Sequence, residues 1–272
     1  MGNPQLQRHR VHPSLVGMVA GIVGFTEHSE AVVERRQPAG SLVPLVISFG
    51  DPFEVVALSD GEGVGRYSSF AVGFMPGHAT TRFAGTHQCV QVYLTPLGVY
   101  RLLGLPGAVL ARRVVDLDDV APFVCGSLPD RLAAATWAER FDLVEQALRS
   151  AVTRGPEPEP FVAWMWDRLR RSGGRARIEN LVAETGWSHR HVATRFRHQV
   201  GLSPKAAAGV IRFEQAVADI TAMSLAELAV TSGYADQSHL TRDVVRYAGE
   251  PPHALRAARR PTAYTAIGAG PR

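Results

Sequence analysis

Leu181-Val182-Ala183-Glu184-Thr185-Gly186-Trp187 returns 47 residues later as Leu228-Ala229-Val230-Thr231-Ser232-Gly233-Tyr234. Each copy runs into a stretch with helical spacing, residues 188–200 and 237–247. Each closes on Gly-x-x-Pro, at Gly201…Pro204 and Gly249…Pro252. At Val192 and Leu240 the offset has become 48, so the second turn carries one extra residue. A helix, a glycine in a tight turn and a second helix with one apolar face spell a helix-turn-helix. Two copies in one chain predict a protein that reads two adjacent stretches of DNA groove.

Within the first copy Val192, Phe196 and Val200 recur every four residues, so one stripe faces a core. The opposite stripe carries His189, Arg190, Ala193, Thr194 and Arg197. In the second copy Leu240, Val244 and Tyr247 lie behind, with Gln237, Ser238, Thr241 and Arg242 in front and Arg246 added to the candidate DNA-binding set. A recognition helix in the major groove needs this split, because base edges are read by donors and acceptors while the back packs on its own domain. Arginine spans guanine O6 and N7, and glutamine can read adenine N6 and N7 in the same bidentate way. Gly186 and Gly233 answer to a turn that needs positive φ. Ser188 and Asp236 are expected to cap the following helices.

Around the repeats, residues 161–171 predict a helix stopped by Gly173-Gly174, and 178–184 the first helix of the first repeat. Residues 204–223 predict a connecting helix with Val210, Ile211, Phe213, Val217 and Ile220 on its apolar side. Ser224 and Glu227 have the spacing of a capping box. Upstream, Arg154-Gly-Pro-Glu-Pro-Glu-Pro160 predicts an extended, semi-rigid linker. Residues 137–152 predict an amphipathic helix and 97–103 a short one. Residues 42–49, 53–58, 69–74 and 89–94 are short β-branched or aromatic runs between turn signals, hence strands. The expected fold is α+β: a β-rich sensor or dimerisation domain ending in helices over 1–153, a linker over 154–160, an all-α tandem helix-turn-helix domain over 161–260, and a disordered tail over 261–272.

Charge follows the same division. The chain carries +4 overall, but residues 1–160 hold 13 Arg against 16 acids, and residues 161–272 hold 16 Lys+Arg against 9. The halves therefore differ as −3 and +7, with the excess where phosphate contacts would need it. On charge alone a solvated basic surface is the favoured reading, so the repeats have to carry the DNA-binding one. Two cysteines, Cys89 and Cys125, make neither a disulfide framework nor a zinc spacing, which predicts a cytoplasmic protein. No apolar run is long enough to cross a bilayer, and the first residues lack the apolar core of a signal peptide.

Residues 161 to about 258 resemble the DNA-binding domain of AraC/XylS-type transcriptional regulators. The resemblance rests on Gly186-Trp187-Ser188, Arg190, Arg195-Phe196, Gly201-Leu202-Ser203-Pro204-Lys205, Arg212-Phe213, the run from Gly233 to Asp243, and Pro252. It implies seven helices, two helix-turn-helix units and a connecting helix. Twenty residues would span about 30 Å, close to the roughly 34 Å between successive major grooves on one face. The same resemblance implies double-stranded DNA as partner, a small effector, a homodimer and contact with RNA polymerase. Val182 stands where the family usually has alanine, Val244 where it has an aromatic, and Thr194 where arginine is frequent. Residues 10–150 look like the β-rich N-terminal domain of a subgroup, through His12-Pro13-Ser14-Leu15, Pro38-Ala39-Gly40, Phe49-Gly50-Asp51-Pro52 and the run from Val92 to Gly98.

An alternative is a metal-binding β-domain enzyme fused to a DNA-targeting module, with His78, His87 and Cys89 gathered on neighbouring strands. That spacing matches no established metal pattern, and no nucleophile, zinc-protease or phosphate-binding motif occurs. The expectation is therefore no enzyme, no catalytic residue, no metal and no cofactor, with the ligand-binding residues unassigned. Phe49, Phe53, Phe70, Phe74, Phe83 and Tyr93 are expected as core. A third reading, a DNA binder without sequence preference, sits poorly with front stripes as varied as these.

Overall fold

Two unusually long strands organise the first half of the chain. A computed structural model describes residues 4–124, 126–152 and 155–257. Cys125, the first linker residue Arg154 and the expected tail at 261–272 lie outside the described residues. One antiparallel sheet is built from β1 (Gln5–His9), β2 (Val19–Gln37), β3 (Val43–Ser48), β4 (Phe53–Leu58), β5 (Gly65–Tyr67), β6 (Phe70–Val72), β7 (Ala79–Leu94) and β8 (Val114–Asp116). Its order is β1-β2-β7-β3-β6-β8, with β4 bonded to β5 and β7. β7 is the spine: its second half runs between β2 and β3, and its first half between β2 and β4.

Alternation along these strands sorts the side chains. Val90, Val92 and Leu94 join Leu45 and Ile47 on the face that meets the helices. Cys89 points the other way, into a second cluster with Phe25, Val46, Val55, Phe70 and Val114. Phe70, Phe74, Phe83 and Tyr93 are buried as expected, while Phe49 and Phe53 keep partial exposure. The helices of this half are α1 (Pro96–Leu103), α2 (Gly107–Leu110), α3 (Leu117–Val120), α4 (Leu128–Ala134) and α5 (Trp137–Val152). α5 buries Phe141, Val144, Leu148 and Ala151.

The second half holds seven helices among the described residues: α6 (Pro160–Arg171), α7 (Ile178–Thr185), α8 (His189–Val200), α9 (Pro204–Asp219), α10 (Leu225–Thr231), α11 (Gln237–Ala248) and α12 (Pro252–Ala257). The connecting helix is shorter than its sequence suggests. It ends at Asp219, not 223, and its 16 residues span about 24 Å. The reason lies downstream: the Arg256 guanidinium donates to the carbonyls of Ile220 and Met223, both at 2.6 Å. Those carbonyls are thereby satisfied without further helical turns. Ser224 then starts α10 with the full capping box to Glu227.

The Pro-rich segment is extended, but it is strapped down rather than spanning open space. Gly155 lies against the Arg101 carbonyl of α1, and Glu157 pairs with Arg101. The Glu159 carboxylate accepts from Arg195 Nε at 2.6 Å and Gln199 Nε2 at 2.7 Å, both on α8. Alternating prolines fix an extended backbone, and the glutamates between them find partners on both sides.

A single apolar cluster accordingly runs from Val99, Leu102 and Leu110 into Val192, Phe196 and Val200. α2 approaches α8 so closely that a methyl group on Gly107 would lie 2.5 Å from the Gln199 carbonyl oxygen. Farther along, the Ala39 N–H donates to the Tyr247 carbonyl at 2.8 Å, and His78 Nδ1 lies 3.3 Å from that of Arg246. Both acceptors are in the last turn of α11, where helical carbonyls lack intrahelical donors. The Ser41 N–H likewise donates to Glu214 of α9 at 2.9 Å.

Phe196 is fully buried in this shared cluster. Phe196→Ala should cost about 3–5 kcal/mol of stability; an unchanged thermal melt would refute the packing register drawn for α8.

Burial of the Glu214 carboxyl pushes its pKa up to about 7, against the pull of Ser41. The folded chain then holds this proton more tightly than the unfolded chain, whose value is near 4.5. The resulting stabilisation is fully present below the unfolded value and is lost as pH rises through the folded one. Between pH 5 and 8 the melting temperature of the wild type should fall relative to that of Glu214→Gln. Parallel pH profiles would remove Glu214 as the responsible group.

Candidate nucleic-acid interface

Each repeat is built from a turn that only glycine enters without strain. α7 ends on Gly186 at φ 72°, and Gly233 follows α10 at φ 75°. In this left-handed region a Cβ costs about 1 kcal/mol or more. Ser188 caps α8 by accepting from the His191 N–H at 3.3 Å, and Asp236 caps α11 by accepting from the His239 N–H at 2.7 Å. The extra residue of the second turn changes what the aromatic after glycine does. Tyr234 tucks in at 5 % exposure beneath the Arg212 guanidinium, 5.0 Å from its ring centre. Trp187, with one residue fewer before its helix, stays 55 % exposed and stacks on His191 at 4.5 Å.

Behind the front stripes, Val192, Phe196, Val200, Leu240, Val244 and Tyr247 are all buried. Val182 and Val244, which depart from the family pattern, are accommodated in the same core. On α8 the structure leaves His189, Arg190, Thr194 and Arg197 exposed and Ala193 half-buried between them. On α11 Gln237, Ser238, Arg242 and Arg246 are exposed and Thr241 is half-buried. Each set therefore shares one helix face. Arg246 sits at the flank, its guanidinium over the Tyr247 ring at 5.3 Å. Val245 shares the front of α11 at 45 % exposure. It escapes a search for polar groups, although the 48-residue offset aligns it with Arg197.

Electrostatics narrow the basic excess to fewer residues than the sequence count suggests. Arg195 turns toward Glu159, whose carboxylate raises its pKa. Arg171 pairs with Asp167, while Arg175 and Arg256 are spent on backbone carbonyls. Asp243, half-buried below the stripe, has its pKa raised by burial, opposed by His239 and neighbouring arginines. Among the described residues no ion pair engages Arg190, Arg197 or Arg242. Arg242 donates only to the Ser238 carbonyl, at 3.3 Å.

The histidines and cysteine of the enzyme alternative are not all brought together. His87 Nε2 lies 3.5 Å from Cys89 Sγ inside the sheet, but His78 sits at the end of α11. Burial lowers the His87 pKa to about 4 and raises that of the Cys89 thiol to about 12. A neutral thiol is a poor nucleophile and a poor metal ligand. Among the described residues no group of three His, Cys, Asp or Glu side chains is placed to hold a metal ion, and no helix is long and apolar enough to cross a membrane.

Residues 181–258 match a family model described as a helix-turn-helix domain. No curated protein matches the chain. Among solved structures, the C-terminal domain of AraT, a response regulator from Geobacillus stearothermophilus, is 19 % identical, over 40 % of this chain and 93 % of that one, with a TM-score of 0.36. The xylose-binding transcription activator XylR is 17 % identical over 41 % of this chain and 30 % of its own length, with a TM-score of 0.35. ToxT from Vibrio cholerae is 10 % identical over 86 % of this chain and 96 % of that one, with a TM-score of 0.47.

Arg190 stands at the N-terminal end of the α8 stripe, and among the described residues no ion pair engages it. Arg190→Ala should lose about 1–3 kcal/mol on a specific duplex and much less on unrelated DNA. Equal losses on both would reassign it to a phosphate contact.

Proposed function

We propose that this chain is a sequence-specific DNA-binding transcriptional regulator whose α8 and α11 each enter a major groove. One observation carries the reading. In a domain of helix-turn-helix type, two helices at equivalent positions of a repeat bury their apolar stripes and expose His189, Arg190, Ala193, Thr194 and Arg197 on one and Gln237, Ser238, Thr241 and Arg242 on the other. Arg246 at the flank suits a phosphate. The β-rich half, residues 1–153, is proposed to modulate the reader through a small effector or through dimerisation. Its contacts with α8, α9 and α11 support that role, since both proposed readers touch this half. By the family resemblance a homodimer and contact with RNA polymerase belong to the same proposal, as does a cytoplasmic location. No catalytic role is proposed.

The first half carries −3 and the second +7, which puts phosphate affinity in the second. The full chain should bind duplex DNA with an affinity that falls about 10³–10⁵-fold between 50 and 200 mM salt, if six to ten phosphate contacts form. Residues 1–153 should show no such affinity. Salt-dependent binding by residues 1–153, or binding by the full chain without sequence preference at low salt, would overturn the assignment.

A further inference from the structure

With the 48-residue offset, the front stripes of α8 and α11 pair position for position. Arg190 stands with Ser238, Thr194 with Arg242, and Arg197 with Val245. Positions 238, 241, 242 and 245 are spaced i, i+3, i+4 and i+7, so Val245 lies within one helical stripe and not beside it. Its neighbour Val244 is fully buried, whereas Val245 is 45 % exposed. A lone exposed valine on an ordinary surface needs no explanation. This one occupies the place where the other reader has an arginine, in the stripe that faces the groove.

A valine side chain neither donates nor accepts hydrogen bonds. In the major groove the apolar feature that a base pair offers is the C5 methyl of thymine. Valine in a helix is also held to one strongly preferred rotamer, so it loses little freedom on contact. We propose, resting on the DNA-binding reading above, that Val245 is a specificity-determining residue which packs against a thymine methyl in the segment read by α11. The two readers then differ in kind: α8 ends its stripe on a cation, and α11 on an apolar group.

The test begins with selection of preferred duplexes from a random library by the full-length protein. Each thymine of the selected site is then replaced in turn by deoxyuridine, which removes only the methyl. The wild type should lose about fourfold in affinity at one thymine, the worth of one buried methylene-sized group. Val245→Ala should bind the thymine site more weakly by a similar factor and no longer distinguish deoxyuridine from thymine there. Selection repeated with Val245→Ala should relax at that same position. Val245→Thr keeps the shape and one methyl, so it should retain part of the discrimination. It also carries the test should the alanine variant melt early. A wild type indifferent to every thymine methyl, or a Val245→Ala protein that discriminates as the wild type does, overturns the proposal. Failure of the wild type to select any duplex would instead bring down the DNA-binding reading, and this proposal with it.

Discussion

Burial of one stripe on each of two short helices is the constraint on which the rest depends. At 3.6 residues per turn, a helix that commits Val192, Phe196 and Val200 to a core has no freedom over which residues face out. Leu240, Val244 and Tyr247 impose the same condition on α11. Packing thus decides which residues face out, and the turn glycines decide the angle at which they do so. Energetically, each buried side chain of this size contributes about 1.5–3 kcal/mol, so the two helices are held by their backs and their fronts are left to vary.

Much of this was legible in the sequence, for a physical reason. Periodicity, turn glycines and caps act over a few residues, so α5, α8 and α11 appear in the structure at or within one residue of the bounds their spacing predicts. The capping box at Ser224 and Glu227 is present as well. Contacts between distant residues were not legible. Nothing near residue 219 announces that Arg256 will close the connecting helix, and nothing near residue 155 announces that the proline segment will lie along α1. Residues 11–115 read mostly as strand, but the bounds of β2 and of the first half of β7 escaped. Residues 79–88 are polar and interrupted by Gly85, and pairing with two other strands, not local composition, makes them strand. On the exposed faces of α8 and α11, helical spacing and polar chemistry led to ten residues, nine of them polar, and passed over the exposed Val245.

The two halves share a core to a degree that their composition hides. Opposite charge balance and a proline-rich joint suggest separate modules. Yet Gly107 is pressed against the end of α8, and Glu159 holds Arg195 and Gln199 of the same helix. The joint is held chiefly by Glu159, which is engaged by α8, while Glu157 pairs with Arg101 at the surface. α8 and the first half of the chain are therefore positioned by the same contacts.

The last turn of α11 owes two of its hydrogen bonds to Ala39 and His78, residues that precede it by well over a hundred positions. Withdrawal of the sheet would leave those carbonyls to water and let the helix fray from its end. Two such bonds are worth about 1–3 kcal/mol together. Thermodynamic linkage makes that figure a ceiling on what this contact transmits in either direction. Anything that holds the last turn of α11 complete would favour docking of the sheet by the same free energy with which docking favours the complete helix. Were ligands bound at both ends, these two bonds alone would couple their affinities by a factor of at most about 150.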